Sequence, residues 1–254
     1  MSQPQFRFDQ AFVTHPGKVR THNEDSFIAR PEIGLWAVCD GMGGHENGQW
    51  ASSAIVERLA EVAWTGGMDE AAGAVSRAIQ EANQAIFRES ESLGKSMGST
   101  TVALLVHGRR FAAIWAGDSR IYVLRDGELH RLTRDHTQVR DMVERGYLTE
   151  AEAERHPLGH VISRAVGVGL ELELDAVVDD VEDEDVFLLC SDGLTGPLDD
   201  AEIAEVLRSA KPEAASERLV EMCLQRGAPD NVTVIAVRCN EITLLSLSPA
   251  GATF

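Results

Sequence analysis

Four aspartates, Asp40, Asp118, Asp192 and Asp230, each flank a run of apolar residues, and three of them stand where such a run ends. The runs are Leu35 to Cys39, Phe111 to Ala116, Val186 to Cys190 and Val232 to Val237. If the fold gathers those ends, several carboxylates converge, and their mutual repulsion demands a cation. Hard carboxylate oxygens, with backbone carbonyls and water, suit Mg²⁺ or Mn²⁺ and not Zn²⁺. Two such ions sharing one carboxylate lower the pKa of a bridging water and clamp a phosphoryl group for in-line attack. Arg20 would add the planar fork that binds phosphate oxygens. Taken alone, the cluster Arg20, Thr21, His22, Asn23, Glu24, Asp25 reads as a surface salt-bridge knot.

Asp40 is followed by Gly41, Met42, Gly43, Gly44, His45, Glu46, Asn47 and Gly48, a turn too rich in glycine to serve packing. Such a loop can bring a backbone carbonyl up to a metal ion. A single Asp-Gly pair is an ordinary turn. Its recurrence as Asp192, Gly193, with the related Gly117, Asp118, is what points to chemistry.

Positioning these residues takes strands and helices in a particular order. Phe6 to Thr14 alternates apolar and polar residues as an opening strand does, and Ser26 to Ala29 reads as another. From Gly48 to Trp64, and again over residues 69 to 92, apolar residues recur on one helical face. Gly98 to Val106, Phe111 to Ala116 and Tyr122 to Leu124 form a meander, with Asp126 and Gly127 as a type I′ hairpin signal. Antiparallel hairpins, not βαβ units, are the consequence.

Residues 133 to 164 are polar and mostly helical in pattern, like an inserted flap, with a capping box at Thr149 and Glu152. His136, His156 and His160 lack the spacing and the cysteines of a zinc site. Strands return at Leu172 to Val178 and Val186 to Cys190, then helices at about Asp199 to Arg208 and Pro212 to Gln225, and a closing strand at Val232 to Val237. Residues 241 to 254 read as a C-terminal appendage to a single domain over residues 1 to 240.

The chain has 254 residues, 44% hydrophobic, with 23 basic against 41 acidic side chains and a formal charge of −18. That field disfavours nucleic acid and anionic membranes and favours cations. Cys39, Cys190, Cys223 and Cys239 form no CxxC pair and lie in apolar stretches, as reduced core thiols do. With no leader-like start and no long apolar run, the expectation is a cytoplasmic protein, monomeric by default.

The ordered set Arg20, Asn23, Glu24, Asp25; Asp40 to His45; Gly98 to Thr101; Gly117 to Arg120; Ser191, Asp192, Gly193; and Asp230 to Thr233 resembles the bacterial branch of the PP2C (PPM) protein serine/threonine phosphatases. The resemblance covers about residues 8 to 238. It implies an α+β fold, a four-layer α-β-β-α sandwich of two antiparallel sheets flanked by helices. It implies that Asp40 is shared by two metals, with the Gly41 carbonyl on one of them. Asp192 and Asp230 match ligands of the first metal and Glu24 a ligand of the second, while Asp25 fits a role in holding metal-bound waters. Asp118, with Asp192, matches a weaker third-metal site, Arg20 the phosphate-binding arginine, and about His136 to Ser163 the flap. The chain departs from the pattern at Met42, where relatives with Asp-Gly-His carry a histidine proposed as general acid. His45 lies three residues on, and the acid is left unassigned.

The activity so implied is Mn²⁺- or Mg²⁺-dependent hydrolysis of phosphoserine and phosphothreonine by metal-activated water, opposing a eukaryotic-like serine/threonine kinase. No cysteine sits in a phosphate-cradling motif, against a thiol-phosphate route. A binding module for a phosphorylated partner and a hydrolase of small phosphomonoesters are the competing readings.

Overall fold

The computed structural model describes residues 5–242 except 45, 154, 155 and 160. Two antiparallel sheets lie face to face. One has the order β1, β11, β10, β7, β8, made from Gln5–His15, Val232–Ile242, Val186–Cys190, Arg120–Arg125 and Glu128–Arg131. The other has the order β2, β3, β5, β6, β9, made from Asp25–Arg30, Leu35–Met42, Thr101–His107, Arg110–Ala116 and Asp175–Asp180. A short β4, Gly98–Ser99, adds to the tip of β3.

The strands read as continuous apolar runs because both of their faces are covered. Along β3, Trp36 and Val38 enter the layer between the sheets with Val102, Phe111, Phe187, Leu189, Ile235 and Val237. Leu35, Ala37 and Cys39 face the other way, onto helices α1 (Glu46–Ala60) and α2 (Met68–Leu93). The first sheet likewise covers its outer face, through Tyr122, Leu188, Cys190 and Val234, with α5 (Asp192–Thr195), α6 (Asp200–Ser209) and α7 (Pro212–Gln225). The result is the expected four-layer α-β-β-α sandwich. All four cysteines are free and buried. Among the described residues no helix is long and apolar enough to cross a membrane.

Local signals resolve as their chemistry directs. Asp126 and Gly127 both take positive φ, 51° and 79°, as the type I′ turn between β7 and β8 requires. Thr149 and Glu152 exchange both capping-box bonds at the start of α4, Glu150–Ala153. The helix through Met142 and Val143 is α3, Gln138–Glu144, and Gly146 follows it at φ 73°. The segment from His136 to Ser163 is pinched at its neck, where Ser163 N donates to His136 O and Gln138 N donates to Val161 O.

Three elements differ from expectation. α1 ends at Ala60, short of Trp64, and the strand expected from Leu172 begins at Asp175. Leu172 instead packs against α2, where the Gln80 side chain donates to its carbonyl. β11 continues beyond Val237 to Ile242, because β1 offers it a partner along the whole length. Residues 243–254, the bulk of the expected appendage, lie outside the described residues, as do His45 and His160.

Candidate active site

Strand parity builds the site. Trp36 and Val38 point between the sheets, so Asp40 continues that face at the tip of β3. Asp25 is its direct partner in the β2–β3 register. From the other sheet Leu189 and Ile235 point inward, and two residues beyond each come Ser191 and Thr233. The Ser191 hydroxyl donates to Asp25 Oδ2 at 2.8 Å and accepts from Thr233 N at 3.0 Å. One hydroxyl therefore ties both sheets together at this rim. Asp25 Oδ1 is buried and has no hydrogen-bond partner.

Thr100 fixes the Asp40 backbone on both sides. Its hydroxyl accepts from Asp40 N at 3.1 Å, its own N donates to Asp40 O at 2.9 Å, and the hydroxyl also meets Ser119 Oγ at 2.7 Å. Gly41 N donates to Glu24 O. A Cβ on Gly41 would stand 2.1 Å from Gly48 O and 2.6 Å from Glu24 O, so only glycine lets these backbones meet. The Glu24 carboxylate lies against Gly48 in the first turn of α1, where the positive end of the helix dipole favours it.

Asp192 opens α5 behind Ser191, and Asp118 is buried in the turn between β6 and β7. Asn231 organises the loop that carries Arg20 and Glu24. Its side-chain oxygen accepts from Glu24 N at 2.7 Å, and its amide donates to Pro16 O and His22 O, both at 2.9 Å. Arg20 donates to Asp230 Oδ2 at 2.7 Å. The surface salt-bridge reading holds for Arg20 but with another partner: the carboxylate it grips is Asp230, 210 residues away in sequence, while Asp25 is only 8% exposed.

The electrostatics follow from that crowding. Burial pushes Asp25 up to about 7 against the hydrogen bonds from Thr233 and Ser191, and the charges of Asp192 and Asp230 add to the rise. Asp118 reaches about 7, through burial first and then the charge of Asp192. Asp40 rises well above the carboxylate range through burial and then the charges of Asp25, Asp192, Asp118 and Asp230. Its carboxylate is surrounded by protein although the residue keeps some solvent contact at the rim. Among the described residues, no three His, Cys, Asp or Glu side chains stand close enough to enclose an ion as they are; the coupling acts across the rim.

The rim thus brings together Arg20, Glu24, Asp25, Asp40, Gly41, Asp192 and Asp230, with Asp118 coupled to Asp192 and Asp40. Sequence reasoning gave no role to Thr100, Ser191, Asn231 or Thr233, although each adjoins or belongs to a motif that carries a named aspartate. Their signal was a hydroxyl or amide at the inward-facing end of a strand. His136 is not arranged for zinc: Nδ1 accepts from Gly117 N at 3.1 Å and Nε2 lies 3.2 Å from Asp175 Oδ2. Beside Asp118 and Asp192 opens a cavity of about 850 Å³, walled by Arg131, Arg134, Thr137 and Thr195.

The family model of protein phosphatase 2C matches residues 14–151. The serine/threonine protein phosphatase PstP of Mycobacterium tuberculosis is 39% identical over 221 residues, 86% of this chain; the chain spans 42% of that relative's length. Among solved structures, PppA of Pseudomonas aeruginosa, described as a key regulatory component of T6SS, is 40% identical. It superposes with a TM-score of 0.85 over 91% of this chain and 97% of its own. The catalytic domain of PstP in complex with two manganese ions is 35% identical, with a TM-score of 0.82 over 93% of this chain and all of that one. With a matching family model over more than half its length and the same sandwich in its relatives, the chain belongs to the protein phosphatase 2C family.

Proposed function

We propose that the protein is a Mn²⁺- or Mg²⁺-dependent phosphatase acting on phosphoserine and phosphothreonine in proteins. The observation that carries the reading is the convergence of Asp25, Asp40, Asp118, Asp192 and Asp230 at one rim, each of the first three holding its proton well above the usual range. The chemistry of the donor set suits divalent cations, although among the described residues the side chains as they stand enclose none. Asp25 Oδ1 is a buried acceptor with no donor, and the donors at hand are oxygens, the hard set that Mg²⁺ and Mn²⁺ prefer.

Asp40 would be shared by two ions, with the Gly41 carbonyl on one, Asp192 and Asp230 on the first and Glu24 on the second. Asp118 with Asp192 would hold a weaker third. When bound, the ions supply an activated water for in-line attack and a clamp on the phosphoryl oxygens. The chain's own residues do the rest. Arg20, on the outer side of the rim, binds the phosphoryl group, exchanging the exposed Asp230 carboxylate for phosphate oxygens. Asp25, held on Oδ2 by Ser191, keeps its buried Oδ1 as an acceptor that would hold a metal-bound water. Met42 offers no proton for the leaving group.

The substrates are phosphorylated proteins, and the opposing enzyme is a eukaryotic-like serine/threonine kinase. We place the reaction in the cytoplasm, with the protein acting as a monomer, the single chain holding every residue named above, and with residues 136 to 163 serving as a flap on a single phosphatase domain. The test is phosphate release from a phosphothreonine peptide by chelator-treated protein, before and after Mn²⁺, with Asp192→Ala alongside. Release that appears only with metal and vanishes in the variant is expected. A folded, metal-replete protein that leaves the peptide intact would overturn the reading.

A further inference from the structure

The chain carries a charge of −18, yet the wall of the cavity beside Asp118 and Asp192 is built on arginines: Arg120, Arg131, Arg134 and Arg140. Among the described residues, Arg120 and Arg131 carry a positive surplus between them. Arg120 grips Asp135 through two bonds of 3.1 and 2.8 Å, and Arg131 binds the same carboxylate, so two guanidinium groups share one negative charge. The acidic Asp175 on the same wall is already matched by Arg164 at 2.7 Å. Asp118 and Asp192, the remaining acids of the lining, belong to the rim proposed for cations.

Arg134 is the member placed to change partners. Its backbone is fixed, since the Trp115 indole donates to its carbonyl at 2.8 Å and Trp115 is set in the inter-sheet core. Its side chain reaches Glu144, the last residue of α3, in an ion pair with 52% and 39% of the two side chains exposed. An ion pair that open contributes little to stability, so an incoming anion displaces it readily.

We propose that this groove is a substrate subsite for a second anion on the phosphoprotein, a carboxylate or a further phosphate flanking the residue to be hydrolysed. Arg134 is its specificity-determining residue, Arg131 supports it, and Glu144 is an internal competitor for Arg134. The proposal rests on the phosphatase reading of the neighbouring rim. A peptide whose phosphoryl group sits among the rim carboxylates lays its flanking residues along the arginine wall. There a guanidinium offers charge-assisted bonds that a neutral side chain does not accept.

The experiment compares three phosphothreonine peptides: one with alanine on both sides, one with glutamate on both sides, and one with a second phosphothreonine in place of the glutamates. Rates are measured with Mn²⁺, and binding of fluorescein-labelled copies is measured with chelator-treated protein. The expected result is a kcat/KM about fivefold to tenfold higher for the anionic peptides, expressed in KM. In Arg134→Gln that ratio falls to about one, and in Glu144→Gln it rises. A merely structural Arg134 to Glu144 pair would move both variants in the same direction and overturn the proposal, as would equal rates for neutral and anionic peptides in the unaltered protein. Whichever anionic peptide leads names the second anion as carboxylate or phosphate. No turnover, with Arg134-dependent binding of the anionic peptides, would keep the subsite and remove the catalytic reading; turnover blind to the flanks would do the reverse.

Discussion

Asp25 and Asp40 stand directly opposite each other across the β2–β3 pair, on the face turned toward the sheet of β1, β11 and β10. Like charges in that position destabilise a sheet. The fold accepts the conflict by keeping protons on them: Asp25 is pushed up to about 7 and Asp40 higher than the carboxylate range, chiefly by burial.

The sign of the resulting pH dependence is fixed. Asp25 and Asp118 hold protons in the fold up to about 7, whereas in the unfolded chain they release them near 3.9. Between those values the native state binds more protons, so their contribution to stability is full below about pH 4 and is lost as pH rises toward about 7. Calorimetry of chelator-treated protein should show Asp25→Asn flattening the fall in Tm between about pH 5 and pH 8. A variant whose Tm tracks the unaltered protein across that range would contradict the assignment.

Asp192→Asn removes a charge that presses on Asp25, Asp40 and Asp118 at once. The metal-free variant should melt at or above the temperature of the unaltered protein, while the stabilisation produced by Mn²⁺ shrinks and turnover falls by about a hundredfold or more. Thermal shift with and without Mn²⁺ reads all but the last. A variant that melts lower without metal would count against repulsion as the origin of the raised pKa values.

Arg20→Ala acts on the substrate side. Its pair with Asp230 is exposed, 52% and 39%, so the stability change should be within about 1 kcal/mol. The kinetic change should lie mainly in KM, rising about tenfold with a smaller loss of kcat. A fall in kcat at constant KM would move Arg20 from binding to the chemical step.

Gly41→Ala tests the crossing of backbones under Asp40. The new methyl would meet two carbonyl oxygens, Gly48 O and Glu24 O, and neither is the end of a flexible side chain. Overpacking of that kind costs about 1–3 kcal/mol, and the strain falls on the loop that carries Glu24. Urea unfolding should show the loss, together with weaker Mn²⁺ binding. Full stability would mean that the two loops can part without harm.

Much of this was legible in the sequence because the chemistry is local to strand ends. Asp40, Asp118 and Asp192 each follow an apolar run, and the runs are long enough to be strands in any fold. The type I′ turn at Asp126 and Gly127 and the capping box at Thr149 and Glu152 were equally plain, since each is settled within four residues. What could not be read was set by partners far along the chain. The inward face of Asp25 depends on its register with Asp40, the anchoring of its Oδ2 on Ser191, and the place of Arg20 on Asp230. Asn231 bonds Pro16, His22 and Glu24 across more than two hundred residues, and nothing near it in sequence announces that. Leu172 misled because apolar alternation looks alike in a strand and in a segment laid over a helix.

β1 and β11 are joined from Gln5 opposite Ile242 to His15 opposite Val232, so the beginning and the end of the domain form one ribbon. That has a consequence for synthesis. Within the domain Arg20, Glu24 and Asp25 are made first, whereas Asp230, Asn231 and Thr233, whose bonds help to place them, come in its last strand and the loop before it. A nascent chain can stack α1 and α2 on the sheet of β2, β3, β5, β6 and β9 while the other sheet still lacks β11, the strand that joins β1 to β10. The loop to be closed is long, which slows the step, and until it closes Arg20 lacks the Asp230 carboxylate and Glu24 N lacks the Asn231 side chain. The candidate rim is therefore complete only once the last strand of the domain is in place.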